Sequence, residues 1–109
     1  MKILSKEEIE KIANSFNFDG KLTFTDIIDF EPDCKIYKLN SETADNFILI
    51  CRDYQFDDTN AEDRILNNEL GIIILDRLKH NDGYFFRTNE FDKFEYVFSL
   101  ARIAYKVPS

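Results

Sequence analysis

The chain has 109 residues, of which 44% are apolar and 15% aromatic, and its formal net charge is −7. This composition supports one packed domain over residues 1–109 and excludes an intrinsically disordered chain, which would hold few aromatic residues. The acidic balance disfavours binding to nucleic acid or to an anionic membrane, since both attract Lys and Arg. The N-terminal residues do not read as a signal peptide, and no apolar run reaches the roughly 18 residues of a membrane span, so we expect a cytoplasmic protein.

A helix is predicted near the N-terminus. Ser5 and Glu8 fit a capping box, in which each side chain accepts a hydrogen bond from the backbone N–H of the other residue. Apolar residues follow at the spacing of one helix face, namely Ile9, Ile12, Ala13 and Phe16. We expect this helix to end between Asn17 and Gly20.

Three strand-like runs come next. Residues 22–30 alternate between apolar and polar, with room for a bulge, and residues 31–33 predict a turn because their proline fixes φ. Residues 35–39 alternate again. A polar loop over residues 40–46 then leads to the apolar run 47–51, which suits a central strand covered on both faces. The three runs predict an antiparallel meander.

A second helix is predicted over residues 59–80, after a loop. Thr59 and Glu62 fit another capping box, and apolar residues recur at helical spacing to the end of this range. Gly71 weakens the helix by about 1 kcal/mol relative to Ala.

A competing interpretation of the same region stays open. It ends the helix near Asn68 and makes residues 72–78 a strand. His80 to Gly83 would then turn the chain into a further strand over residues 84–87. In the interpretation with the long helix, Gly83 makes a turn before a short fourth strand.

A last helix is predicted after Asn89, which would cap it. Its apolar face is drawn from Phe94, Val97, Phe98, Ala101, Ala104 and Tyr105. The order is therefore α-β-β-β-α-β-α, an α+β fold with helices packed on an antiparallel sheet of three to five strands.

The acidic residues are concentrated in the first part of the chain. Residues 1–63 carry fifteen acidic against seven basic residues, a balance of −8, whereas residues 64–109 carry six against seven, a balance of +1. Two stretches, 26–33 and 53–63, hold no basic residue at all. Such a one-sided field attracts a basic partner.

These stretches supply the candidate partner-binding residues. Aromatic anchors surrounded by carboxylates are typical of protein–protein hot spots for Lys and Arg. We expect Tyr54 or Phe56 to be the anchor. The alternative is that these rings point into the core, since Tyr and Phe are often buried. The candidate set is Asp53, Tyr54, Phe56, Asp57, Asp58, Glu62 and Asp63, extended by Asp29, Glu31 and Asp33 if the turn lies on the same side.

No pattern in the chain predicts catalysis, a cofactor or a metal ion. The acids from Asp58 partly match a calcium-binding loop, but Asp63 occupies the place of the required glycine. His80 is the only histidine, and no nucleophile motif surrounds it. Cys34 and Cys51 are expected to be buried, reduced thiols. We therefore expect a binding protein and not an enzyme.

In general character the chain resembles bacterial toxin-immunity proteins, which are short, acidic, cytosolic and α+β. The resemblance covers the whole chain in type and rests on no motif, so it assigns no residue a role. It implies a one-to-one complex with a cognate toxin, often a nuclease, whose basic active-site cleft is covered. The oligomeric state is expected to be a monomer or a weak homodimer. A nucleic-acid mimic, a structural or scaffolding module and a small enzyme remain alternatives.

Overall fold

A computed structural model of the protein describes residues 1–54 and 66–107. It is an α+β fold built on a six-stranded antiparallel sheet. Its elements are α1 (Lys6–Ala13), β1 (Leu22–Glu31), β2 (Cys34–Ser41), β3 (Asn46–Asp53), β4 (Ile72–Leu78), β5 (Phe86–Thr88) and β6 (Tyr96–Tyr105). Residues 66–70, which precede β4, are also helical.

The last strand in sequence lies inside the sheet. The strand order is β1-β2-β3-β6-β4, and the short β5 also pairs with β6. β4 pairs with β6 from Leu100 to Tyr105, and β5 pairs with it from Tyr96 to Phe98. Since β3 occupies the other side of β6, β4 and β5 follow one another along the same side of that strand.

In the first half of the chain the capping box and the meander are confirmed, but the first helix is shorter than predicted. It ends at Ala13, before the expected end between Asn17 and Gly20, and the side chain of its C-cap Asn14 hydrogen-bonds to the Leu22 backbone. The Ser5 hydroxyl accepts a hydrogen bond from the Glu8 N–H at 3.2 Å, and the Glu8 carboxylate accepts one from the Ser5 N–H at 2.9 Å. These hydrogen bonds lower the pKa of Glu8. The meander of β1, β2 and β3 forms as expected, with a turn at residues 32–33 and a register shift between Phe24 and Asp26 where a bulge was anticipated.

The helix predicted over residues 59–80 is wrong in its second half. Residues 66–70 are helical, but Gly71 adopts a left-handed φ of +66° and residues 72–78 form β4. Three consecutive isoleucines after this glycine favour a strand, because β-branched side chains are restricted in a helix. The competing interpretation was closer, and the turn from His80 to Gly83 is present as a bridge between these two residues.

The last helix is also wrong, because residues 96–105 form β6. The helical spacing of its apolar residues was coincidental. The run from Tyr96 to Ala101 is at most 4% exposed at every position, so it is covered on both faces. A central strand of this kind is apolar without interruption, and periodicity alone does not distinguish it from a buried helix. The predicted order and the limit of five strands fail for this reason.

The two faces of the sheet have different cores. The first is aromatic. Ile9 and Ile12 of α1, and Phe16 just after the helix, pack there against a cluster that includes Tyr37, Phe47, Cys51, Tyr96, Phe98 and Leu100. The second is smaller and mainly aliphatic, and it contains Cys34, Ile36, Ile48, Ile50, Leu66, Ile72, Ala101 and Ile103. Cys34 and Cys51 thus lie on opposite faces, and both are buried outside any disulfide.

The N-terminal segment crosses the aromatic face and is held by two tyrosine hydroxyls. The Tyr37 hydroxyl accepts a hydrogen bond from the Leu4 N–H at 3.2 Å, and the Tyr96 hydroxyl accepts one from the Lys2 N–H at 2.8 Å. The Tyr96 hydroxyl also donates to the Asp92 carboxylate at 3.0 Å. Burial raises the pKa of Tyr37 to about 12 and also raises that of Tyr96. Within residues 1–54 and 66–107, no helix is long and apolar enough to cross a membrane.

Candidate partner-binding surface

The first acidic stretch and the first two residues of the second lie at one end of the sheet. The turn at residues 32–33 joins β1 to β2, and β3 ends beside it, because Asp53 donates its backbone N–H to the Asp33 carbonyl at 3.2 Å. On the other side of β3, Tyr54 donates its N–H to the Glu95 carbonyl at 3.0 Å, just before β6 begins. The turn that carries Asp33 therefore lies next to Asp53 and Tyr54, the described members of the second stretch.

We call this region the acidic sheet end. It comprises Asp29, Glu31, Asp33, Asp53, Tyr54, Phe94 and Glu95. From β1 to β6 it spans three strand spacings, about 14 Å. That width is within reach of one protein partner, whose contact patch averages about 800 Å².

One carboxylate of this surface is already engaged inside the protein. The Asp29 carboxylate forms an ion pair with the Lys35 ammonium, which also donates to the Glu31 carbonyl oxygen at 2.9 Å. Lys35 is only 5% exposed, so this cation is directed inward and supports the end of β1. Glu31 and Glu95 are exposed, whereas Asp33 and Asp53 are half-buried. Glu31 and Glu95 are therefore the residues through which the surface most directly presents its charge.

Tyr54 is exposed, which answers the question the sequence left open for this ring. Its side chain is 44% exposed, and the Arg87 guanidinium lies 4.5 Å from the ring centre. A guanidinium over an aromatic face is attracted by the ring quadrupole, which holds the ring in place. Tyr54 thus has the exposure and the fixed position expected of an anchor.

The sequence prediction missed Phe94 and Glu95. Phe94 is 43% exposed and directly precedes Glu95, whose carbonyl receives the Tyr54 N–H. Both residues were assigned to the last helix, with Phe94 on its buried face. The uninterrupted apolar run from Tyr96 onward was the signal that could have placed them before a central strand.

Five predicted members of the site lie outside the described residues. They are Phe56, Asp57, Asp58, Glu62 and Asp63. Their sequence follows directly from Tyr54, so the chain enters this acidic stretch from the acidic sheet end. Their part in binding stays a prediction.

The described residues include a small cleft, and the histidine of the chain packs between two aromatic rings. A cleft of about 70 Å³ is lined by Lys11, Ile12, Ser15, Phe86 and Glu90. Ligand sites usually occupy roughly 300–1,000 Å³. The His80 ring packs between Phe16 and Phe86, with ring centres 4.9 and 4.7 Å away, which is a packing role. Within residues 1–54 and 66–107, no group of three His, Cys, Asp or Glu side chains is arranged to hold a metal ion.

The chain matches no protein-family model, no curated protein and no solved structure. The resemblance to immunity proteins is therefore neither strengthened nor weakened by a relative. The acidic sheet end is the feature from which a function can be argued.

Proposed function

We propose that the protein is a small cytoplasmic binding protein that inhibits a basic protein partner through the acidic sheet end. One observation carries the proposal. The acidic turn around Asp33 lies beside Asp53, where the second acidic stretch begins, and beside the exposed Tyr54 and Phe94. Exposed aromatic rings on the same surface as carboxylates suit a partner surface rich in Lys and Arg. The partner would share the Tyr54 and Phe94 rings with Arg87 and Lys93, whose cations lie 4.5 Å and 5.3 Å from the ring centres.

Electrostatics gives this surface a kinetic role. Complementary charge speeds the encounter of two proteins, with association rates that reach about 10⁸ M⁻¹s⁻¹ at low salt. The exposed carboxylates of Glu31 and Glu95 would act in this way, since rim charges change association more than dissociation. Asp57, Asp58, Glu62 and Asp63 add negative charge to the chain directly after Tyr54, and we include them in the proposed surface.

The partner we favour is a toxin, so that the protein would be a bacterial immunity protein. An enzyme that acts on nucleic acid has a basic cleft, because phosphate contacts need Lys and Arg. An acidic surface with aromatic anchors could cover such a cleft and exclude the substrate. A nuclease is accordingly the first activity to test.

A differential capture experiment tests the binding part of the proposal. The wild-type protein, a Glu31→Lys/Glu95→Lys variant and an Asp19→Lys/Glu42→Lys control are immobilised and exposed to lysate of the native host. The control residues are also exposed, but they lie near the opposite end of the sheet, where Leu22 pairs with Ser41. Both variants alter the net charge equally, so a difference between them reports the location of the charge.

We expect the wild type and the control to capture the same basic protein, identified by mass spectrometry, and the Glu31→Lys/Glu95→Lys variant to lose it. If that variant captures the same protein to the same extent, the acidic sheet end is not the binding surface. The captured protein is then assayed with and without the wild type. An activity that is unchanged at saturating wild-type protein would exclude inhibition while leaving binding intact.

A further inference from the structure

The Tyr54 ring, at the acidic sheet end, carries a cation that the chain itself supplies. The Arg87 guanidinium lies 4.5 Å from the centre of this ring, which is 44% exposed. Tyr54 follows β3 and donates its N–H to the Glu95 carbonyl, whereas Arg87 lies in β5 and pairs with Val97 of β6. Since β3 and β5 flank β6 on opposite sides, the Arg87 side chain reaches across β6 to the ring. The fold thus brings a guanidinium to an exposed ring from a strand that does not pair with β3.

A guanidinium suits this ring better than an ammonium does. Three other exposed rings carry lysine ammonium groups at 5.2 to 5.9 Å from their centres, namely Tyr84, Phe94 and Tyr105. Arg87 lies closer to its ring than these lysines do to theirs. A guanidinium is planar and weakly hydrated, so it stacks on an aromatic face with a smaller loss of solvation than an ammonium. The Tyr54 ring is therefore a site for arginine in particular.

Carboxylates beside the ring add to its attraction for a cation. Asp53 directly precedes Tyr54, and Glu95, whose carbonyl receives the Tyr54 N–H, is exposed. A guanidinium can stack through its face while the N–H groups at its edge donate to carboxylates. An aromatic ring with neighbouring carboxylates thus matches arginine in both respects.

We propose that the Tyr54 ring is the recognition site for an arginine of the basic partner, and that Arg87 occupies this site in the free protein. The inference rests on the proposed function, because it names the side chain that the acidic sheet end takes from the partner. The ring is shared by exchange, in which the partner's guanidinium replaces that of Arg87. Arg87 is exposed, so its side chain can turn into solvent when it is displaced. Arg87 is then an internal competitor, and a partner that offers lysine at this point gains less from the exchange.

The competition is modest but measurable. An exposed cation–π contact is weak, and its removal changes a binding equilibrium about two- to fivefold. Loss of Arg87 should therefore strengthen the binding of an arginine side chain by about that factor. Loss of Arg87 also removes one positive charge, which strengthens the attraction for every cation.

A double-mutant cycle between Tyr54 and Arg87 separates the ring from the charge. The wild type, Arg87→Gln, Tyr54→Ala and the double variant are titrated with hexa-arginine and with hexalysine, two peptides that carry the same charge on different groups. Lys38→Gln is the matched control, because it takes a cation from the exposed Tyr105 ring and changes the net charge equally. Fluorescence anisotropy of the labelled peptides gives each affinity, and circular dichroism checks that every variant is folded.

We expect Arg87→Gln to bind hexa-arginine about two- to fivefold more tightly than the wild type, with a smaller gain for hexalysine and a smaller gain in Lys38→Gln. In the Tyr54→Ala background, Arg87→Gln should bring no more than Lys38→Gln brings. A gain from Arg87→Gln that is equal with and without the Tyr54 ring would overturn the proposal, because charge alone would explain it. An equal gain for the two peptides, or no binding of hexa-arginine to Arg87→Gln, would overturn it as well.

The peptide titration does not depend on the partner. It can fail while the capture experiment succeeds, and the reverse is equally possible. Failure of the arginine site is therefore distinguishable from failure of the proposed function.

Discussion

The two edges of the sheet present opposite chemistry to solvent. The β1 edge carries acids and continues into the acidic sheet end, whereas the first half of β4 is uncharged and exposes Ile73 and Leu75. The β1 edge exposes no large apolar side chain, since Ile27, Ile28 and Phe30 are half-buried. The two edges of the sheet therefore differ in charge and in the apolar side chains that they expose.

The separation depends on the strands between the two edges. β2, β3 and β6 are buried on both faces, and they keep the edges four strand spacings apart. An acidic cluster and a second cluster that lay within one Debye length of each other would not be screened from each other in this way. The acidic sheet end reaches β6, which is next to β4, but it lies at the Tyr96 end of that strand, whereas Ile73 pairs with Ala104 near the other end.

The largest expected effect is on the aromatic anchor. Tyr54→Ala should weaken binding to the basic partner by roughly 30-fold or more, since truncating a hot-spot residue costs about 2 kcal/mol. Tyr105→Ala is the matched control, because Tyr105 is similarly exposed (41%) and is also covered by a cation, the Lys38 ammonium, 5.2 Å from its ring centre. Isothermal titration calorimetry measures both. Equal losses of affinity in Tyr54→Ala and Tyr105→Ala would contradict the assignment of Tyr54 as the anchor.

The next largest effect is on stability and concerns Tyr37, in the aromatic core on one face of the sheet. Tyr37→Phe leaves the buried Leu4 N–H without its hydrogen-bond acceptor, so the free energy of unfolding should fall by about 1–3 kcal/mol. Tyr84→Phe, at a tyrosine that is 43% exposed, should leave it unchanged. Urea unfolding followed by circular dichroism checks both. A Tyr37→Phe variant as stable as the wild type would show that this hydrogen bond does not hold the N-terminal segment.

The same tyrosines predict how stability depends on pH. Burial raises the pKa of Tyr37 from 10.0 to about 12 in the folded protein, so between these values the unfolded chain ionises while the folded protein stays neutral. The stabilising contribution is therefore complete below pH 10 and is lost as the pH rises toward 12. Thermal unfolding between pH 8 and pH 11 should show this decline. Tyr37→Phe should decline less, and an equal decline in both proteins would assign the effect to other groups.

The smallest effects are expected at the two thiols. Cys34 is 7% exposed and Cys51 is 0% exposed, and burial raises the pKa of Cys51. Both should therefore react slowly with a thiol reagent in the native protein, Cys51 more slowly, and rapidly after unfolding. Mass spectrometry of timed labelling reactions separates the two sites. Fast stoichiometric labelling of both in the folded protein would contradict the buried core described for the two faces.

Local signals predicted the first half of the fold and failed in the second half. The Ser5 capping box and the alternation before residue 51 each depend on short-range contacts, which the sequence displays directly. β4 and β6 are defined by burial against strands that are distant in the chain, and their apolar residues satisfied helical spacing by coincidence. The candidate surface divides in the same way. The sequence singled out Asp29, Glu31, Asp33, Asp53 and Tyr54 as candidates, whereas the positions of Phe94 and Glu95 depend on the register of β6.

The association rate with the captured partner tests the acidic sheet end most directly. Stopped-flow measurements at about 0.05 M and about 0.5 M NaCl compare the wild type, Glu31→Lys/Glu95→Lys and Asp19→Lys/Glu42→Lys, since screening of exposed charges differs widely between these salt concentrations. We expect the wild type and the Asp19/Glu42 control to associate quickly at low salt. The Glu31/Glu95 variant should be slower by about tenfold or more, and high salt should reduce the difference. Equal slowing of both variants would contradict the account, because only total charge, and not the acidic sheet end, would then guide the partner.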